Sequence, residues 1–384
     1  MHVTLVTPAF THPERSDLPG IRRYSTELVK ALNRKGIELR VITPEAGDPD
    51  DDLDGVEVVR LGAPLRAFGR AANVAQARVL SFGRSITRDP RLLRGTDIVH
   101  ADVPLLGIDM VKHHCPVVAT AHHFERIRTV GDLLSVPFGN SYGTYTYRRA
   151  NAVVVPSEAS ASQLRRRFNV RRRRIHIIHH GIDTSRFFPD NSGEDVGTNP
   201  RTRTILFVGP MSRRKNVILL LQAFQRLTRS HPEARLVLVG SGPLDTTIDR
   251  AINSELLRGR VVRLRHLTDS RLRELYNAAD VYASASVDEG FGFCVAEAMA
   301  CRTPVVVLDQ PVTREIVADA GVLMPDSRPI AWGEALGRLL DDTTLADDLA
   351  ERGRRRVMDL YSWDAAADKY VRLYEQLTEA RRRS

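Results

Sequence analysis

Short apolar runs, interleaved with segments of helical period, constrain the fold of this chain more than any other feature. In the first half the runs are Val3–Thr7, Glu38–Thr43, Glu57–Leu61, Ile98–Ala101, Val117–Ala121, Ala152–Pro156 and Ile175–His179. Helical patterns such as Ile21–Arg34 and Glu158–Phe168 fall between them. A strand that is apolar on both faces must be covered on both faces, and helices supply the cover. The alternation therefore predicts the α/β class with parallel sheets. The rhythm breaks at Phe188–Pro200, a polar stretch with prolines and glycines that reads as a linker. It restarts with Thr204–Val208, Arg235–Val239, Val261–Leu264, Val281–Ala285 and Pro304–Leu308, separated by Val217–Thr228, Ser270–Asn277 and Phe293–Cys301. Two α/β domains are expected, 1–187 and 203–360, joined by a linker at 188–202. Their ligand cleft is expected at the carboxyl ends of both sheets.

Composition narrows the partners. An apolar fraction of 42% and a charged fraction of 27% are those of a globular protein. No apolar run is long enough to span a membrane, and Met1–Pro8 reads as a strand, not a signal peptide, so a cytoplasmic location is expected. Cys115, Cys294 and Cys301 have no metal-like spacing, and neither a disulfide nor a zinc site is expected. The net charge of +9 is concentrated in arginine runs at 165–167, 171–174 and 352–356. Aromatic residues are only 6% of the chain and do not interleave with these runs, which argues against nucleic acid. Solvated faces, a phosphate-bearing partner or an anionic membrane surface remain the readings. The basic amphipathic segment Leu65–Arg94 would either lie on anionic lipid or pack on the first domain. The acidic run Asp48–Gly55 begins like a calcium loop but has Leu61 at the twelfth position, so it reads as a solvated turn.

Three strand–glycine–helix junctions carry the candidate chemistry. In the stretch Ser286–Val307, the acids Glu289 and Glu297 bracket Gly290, Phe291 and Gly292 at the start of a short helix. Glycines admit a close ligand, a helix start offers free N–H groups to phosphate, and carboxylates accept paired bonds from vicinal hydroxyls. Together they suit a nucleotide-sugar. At the second junction, Gly209 precedes Arg213, Arg214 and Lys215 at another helix start, where cations and N–H groups jointly suit a diphosphate. The third passes through Pro19 and Gly20 into Ile21–Leu28. No Gly-x-Gly-x-x-Gly follows the first strand, which disfavours a nicotinamide dehydrogenase.

These motifs make the chain resemble the family-4 retaining glycosyltransferases of the GT-B fold over nearly its whole length. The Glu289/Glu297 pair looks like the family's glutamates seven residues apart. Gly209 and Lys215 fall where the family has its glycine and phosphate-binding lysine. Val239–Pro243, His100, His122, His179–Asp183 and Ser362–Asp364 are similar to further family segments. The resemblance implies two Rossmann-like domains facing each other across a cleft, with 361–384 crossing back to the first domain.

It further implies that Glu289 holds donor-sugar hydroxyls, Glu297 the ribose, and Lys215 with Arg213 or Arg214 the leaving diphosphate. His122 would lie near the transferred sugar, and Gly20 would let the first loop approach the phosphates. Gly209, Gly290, Phe291 and Gly292 complete the donor site. The implied activity is metal-independent, retaining transfer to a hydroxyl of a glycan or lipid-linked acceptor. It would serve cell-surface glycan or glycolipid synthesis, with the enzyme peripheral on the membrane's inner face and no cofactor beyond the nucleotide-sugar. Pro210, Arg302 and Pro311-Val312 stand where the family has arginine or glycines. They motivate the alternative of a weak or inactive binding protein; an epimerase on the same fold is the other.

Overall fold

The structure is a computed structural model that describes residues 1–8, 10, 19–44, 53, 55–61, 72–112, 114–122, 124, 132–190 and 202–383. Most of the acidic run, residues 65–71, His113, His123 and linker residues 191–200 lie outside the described residues. The chain divides into two compact units: Met1–Gly181 with Trp363–Ser384, and Ile182–Ser362.

The first unit is built on a seven-stranded sheet of β1 (His2–Val6), β2 (Glu38–Pro44), β3 (Glu57–Leu61), β4 (Ile98–Ala101), β5 (Val117–Thr120), β6 (Ala152–Val155) and β7 (Ile175–Ile177). The order is β3-β2-β1-β4-β5-β6-β7, and every pair is parallel. β4, β5 and β6 are buried at every residue, as unbroken apolar runs require. The connections carry α1 (Pro19–Arg34), α2 (Ala72–Arg88), α3 (Gly107–Met110), α4 (Asp132–Arg149) and α5 (Glu158–Phe168). α5 has the expected bounds because both ends are capped. The Ser157 hydroxyl accepts from Ser160 N at 3.1 Å, and Asn169 closes the helix in the left-handed conformation. Phe82 and Ile86 of α2 pack on β1 and β4, and Leu164 and Phe168 of α5 pack on β5 and β6.

The second unit repeats the plan with β8 (Thr204–Val208), β9 (Arg235–Val239), β10 (Val261–Leu264), β11 (Val281–Ser284), β12 (Val305–Leu308) and β13 (Val322–Met324). The order is β10-β9-β8-β11-β12-β13, again all parallel. Its helices are α6 (Val217–Leu227), α7 (Asp245–Ile252), α8 (Asp269–Ala278), α9 (Phe293–Ala300), α10 (Pro311–Val317), α11 (Pro329–Asp341) and α12 (Thr343–Leu360). Both sheets thus have the doubly wound order of a Rossmann-like domain. Sequence periodicity did not mark β13, which is only three residues long.

The closing helix α13 (Trp363–Arg382) belongs to the first unit and packs along α1. Trp363, Tyr370 and Tyr374 anchor it, each no more than 5% exposed.

Candidate active site

In a doubly wound sheet, ligands bind at the carboxyl ends of the two adjacent strands whose onward connections run in opposite directions. In the second unit those strands are β8 and β11, and the loops after them hold most of the sequence-predicted donor residues. Gly209 follows β8 at φ 154, and a Cβ there would lie 3.2 Å from the Phe207 ring and 3.3 Å from Lys215 Cε. Gly240 after β9 (φ 123) has the Gly209 carbonyl against it; a Cβ would come within 2.3 Å of that oxygen. These two positions need glycine because one backbone lies directly on the other.

The chain then turns through a short 3-10 helix, Arg213–Lys215, and Asn216 at φ 50 leads into α6. Val287 N donates to Arg214 O at 2.9 Å, stitching this loop to the one after β11. The junction brings together residues far apart in sequence. Lys215 is 8% exposed, and its ammonium donates to Glu289 Oε1 at 2.5 Å. Arg214 donates to Oε2 at 3.0 Å. Arg213 is exposed and makes no ion pair among the described residues, so the guanidinium that reaches Glu289 is that of Arg214.

Burial pushes the Glu289 carboxyl up, but the Lys215 and Arg214 charges and hydrogen bonds from Lys215 and Ser286 outweigh it and hold it at about 2. Because the folded-state value lies below the ordinary 4.5, the stabilisation is complete above about pH 4.5 and is lost as the pH falls toward 2. Its size is on the order of 3 kcal/mol. Denaturant melts between pH 6 and pH 3 are expected to show this slope in the native protein and a smaller one in Glu289→Gln.

Asp288 (φ 60) and Gly292 (φ 91) bend the next residues tightly into α9. Gly290 and Gly292 are part-exposed, whereas Phe291 is 3% exposed and packs edge-on against Phe293 and Tyr361. Its side chain faces inward, so only its backbone is left for a ligand. Glu297 is 1% exposed and accepts from Tyr276 of α8 at 3.0 Å.

The first unit has its own switch point, between β1 and β4, and a second polar cluster lies there. Thr7 and Asp102 directly follow these strands, and His122 lies just past β5. Asp102, fully buried, accepts from His122 Nε2 at 2.8 Å through Oδ1. Its Oδ2 accepts from Thr7 at 2.8 Å and from the Ser25 hydroxyl of α1. His180 Nε2 lies 3.4 Å from His122 Nδ1, and the Tyr24 ring meets His122 edge-on at 4.5 Å.

His100, another histidine in a segment similar to the family's, is packed in the interior. It is fully buried between Tyr374 and Thr120, 2.7 Å from each, and burial lowers its pKa to about 4. Gly20 is exposed in the first turn of α1, and a Cβ there would meet nothing within 4 Å. Sequence reasoning missed Asp102, Ser25, Tyr24 and Tyr276. An acid directly after a strand end was the available signal for Asp102; the others gave none. A groove of about 930 Å³ between α6 and α11 is lined by Arg226, His231, Gly337 and Asp341 and by no residue of either cluster.

Two family models match the chain, Glycosyltransferase Family 4 over residues 19–186 and Glycosyl transferases group 1 over residues 190–356. The chain belongs to the family-4 glycosyltransferases of the GT-B fold. A D-inositol 3-phosphate glycosyltransferase of Xylanimonas cellulosilytica is 29% identical, over 98% of this chain and 96% of its own. Among solved structures, a sucrose-phosphate synthase from Thermosynechococcus elongatus superposes with a TM-score of 0.86 at 24% identity, covering 99% of each chain. Anabaena HepE in complex with UDP and glucose superposes at 0.76 and 16% identity, over 97% of this chain and 99% of that one. These likenesses establish the fold.

The glycosyltransferase departs from its family at positions the structure explains. α9 ends in a Schellman motif: Arg302 N donates to Met299 O at 3.0 Å and Thr303 N to Ala298 O at 2.9 Å. Arg302 has φ 62, the left-handed conformation that glycine adopts at least cost. Its ion pair with Glu351 is half-exposed and contributes little. Arg302→Gly is therefore expected to raise stability by about 1 kcal/mol in a denaturant melt. Pro311 is the first residue of α10, where its missing N–H costs nothing, and Gln310 N donates to the Thr313 hydroxyl at 2.9 Å across this first turn. Among the described residues no helix is long and apolar enough to cross a membrane.

Proposed function

We propose that this glycosyltransferase transfers a sugar from a nucleotide-sugar donor to a hydroxyl of a glycan or lipid-linked acceptor, with retention and without a metal ion. The observation that carries the reading is the Glu289 carboxylate gripped by Lys215 and Arg214 at the switch point of the second sheet. On this reading the two cations hold a diphosphate and neutralise it as it leaves, the stage at which charge develops. Glu289, released from them, takes donor-sugar hydroxyls, and Glu297 takes the ribose. Retention and the hydroxyl acceptor rest on the family resemblance. Cell-surface glycan or glycolipid synthesis is the proposed setting, with the enzyme at an anionic membrane surface. Arg166, Arg167, Arg171, Arg172 and Arg173 are exposed on the first unit, consistent with that surface.

The test is incubation with labelled nucleotide-sugars and candidate acceptors, in the presence and absence of EDTA. A glycoside with the donor's anomeric configuration, formed equally well in EDTA, is the expected product. Donor left intact with every acceptor would overturn transfer, and an isomerised donor would favour the epimerase reading. UDP-sugars come first, because HepE, a fold relative, was solved with UDP and glucose. Liposome co-sedimentation tests the membrane part: binding should rise with anionic lipid and fall with salt.

A further inference from the structure

The polar cluster at the first sheet's switch point has more order than packing requires. Asp102 is completely buried, yet its carboxylate is bonded to Thr7 after β1, Ser25 of α1 and His122 after β5. A buried carboxylate is costly unless its lone pairs are used, and here they tie three separate elements to one ring. The consequence falls on His122. A carboxylate can only accept, so in the neutral imidazole the bond at 2.8 Å puts the proton on Nε2 and leaves Nδ1 with its lone pair.

Nδ1 faces His180 Nε2 at 3.4 Å, longer than a normal hydrogen bond. The His122 side chain keeps 11% exposure, and the Tyr24 ring at 4.5 Å limits its rotation. A ring held in this orientation, at the carboxyl ends of the first sheet's strands, is a hydrogen-bond acceptor with only a distant donor in His180.

We infer that Asp102 is a positioning residue that makes His122 a hydrogen-bond acceptor, through Nδ1, for a hydroxyl of a sugar substrate. This rests on the reading of the protein as a nucleotide-sugar transferase. Asp102 itself does not touch the substrate. Asn at position 102 has nearly the same shape, but its amide can turn its NH2 toward Nε2 and so favour the opposite tautomer, in which Nδ1 carries the proton.

The experiment is ¹⁵N NMR of histidine-labelled, ligand-free protein at pH 8, with the His122 signal assigned by its loss in His122→Gln. The expected result is the Nε2–H tautomer in the native protein and a substantial Nδ1–H population in Asp102→Asn. With any nucleotide-sugar that is turned over, Asp102→Asn should lower kcat about 10- to 100-fold with KM changed less than twofold.

Should Asp102→Asn fail to fold, Thr7→Val and the native protein carry the test. Thr7→Val removes one support of Asp102 and should keep the Nε2–H tautomer. A native Nδ1–H tautomer, an unchanged tautomer in Asp102→Asn, or a KM effect with kcat intact would each overturn the inference. The NMR result needs no ligand, so it is distinguishable from failure of the nucleotide-sugar reading, which would appear as no nucleotide-sugar raising the melting temperature.

Discussion

Glu289→Ala is expected to lower turnover by about 1,000-fold while leaving nucleoside diphosphate affinity equal to or better than native. The two effects have opposite sign because Glu289 serves two purposes. With no ligand bound it is the anion that satisfies Lys215 and Arg214 at 2.5 and 3.0 Å, so it competes with a diphosphate for both cations. Removing it frees them, and a nucleoside diphosphate should bind at least as well. The same removal deletes the carboxylate proposed to orient the sugar, and the chemical step suffers. Stability should also fall, by about 3 kcal/mol, because Lys215 is nearly buried and would be left without the Glu289 carboxylate. Calorimetric titration with UDP, GDP and ADP checks affinity, and a transfer assay checks turnover. Native turnover in Glu289→Ala would remove it from the mechanism.

Lys215→Ala is expected to produce the opposite binding signature. The ammonium is the closest cation to Glu289, and its replacement leaves Arg214 alone to hold both the resident carboxylate and an incoming diphosphate. Nucleoside diphosphate affinity should drop about 10- to 100-fold, since charge-assisted bonds to phosphate contribute about 1.5–3 kcal/mol each. Turnover should drop about 1,000-fold because the leaving group loses its main stabilising charge. Lys215→Arg should recover part of the affinity and less of the turnover, since a planar guanidinium does not reproduce the position of an ammonium. Equal affinity for diphosphate in Lys215→Ala and native protein would contradict the assignment. The crossed pattern, affinity held in one variant and lost in the other, separates two functions that a loss of activity alone would merge.

The sequence disclosed the fold more fully than the site. Strands such as Ala152–Val155 and Val305–Val307 are continuous apolar runs that only a sheet covered on both faces can bury. α4 was not marked because Pro137, Gly139 and Gly143 interrupt its period, and β13 is too short to have one. The Glu289 loop and the Lys215 loop were both legible as glycine–helix junctions. Only the family resemblance implied their union; periodicity could not, because the two residues lie 74 positions apart and meet only where β8 and β11 become neighbours.

The choice of Arg214 over Arg213 depends on a single 3-10 turn, which three consecutive basic residues cannot disclose. Asp102 escaped notice for the same reason. Its partners Thr7 and His122 are 95 and 20 residues away, and a lone acid at a strand end has no periodic signature. His122 was singled out only through the family resemblance, whereas its geometry follows from sheet topology. Glu297 was legible as one of a pair of acids, whereas its partner Tyr276, 21 residues earlier, was not.

The central claim is that Lys215 and Glu289 form the donor-diphosphate site, and melting temperature under a nucleotide panel tests it most directly. Native protein and Lys215→Ala should be melted with UDP, GDP, ADP and TDP and their sugar conjugates at about 100 times an expected Kd, where binding adds about 2.7 kcal/mol. The expected result is at least one nucleotide that raises the native melting temperature by several degrees and raises that of Lys215→Ala far less. No shift with any nucleotide, or a shift undiminished in Lys215→Ala, would contradict it.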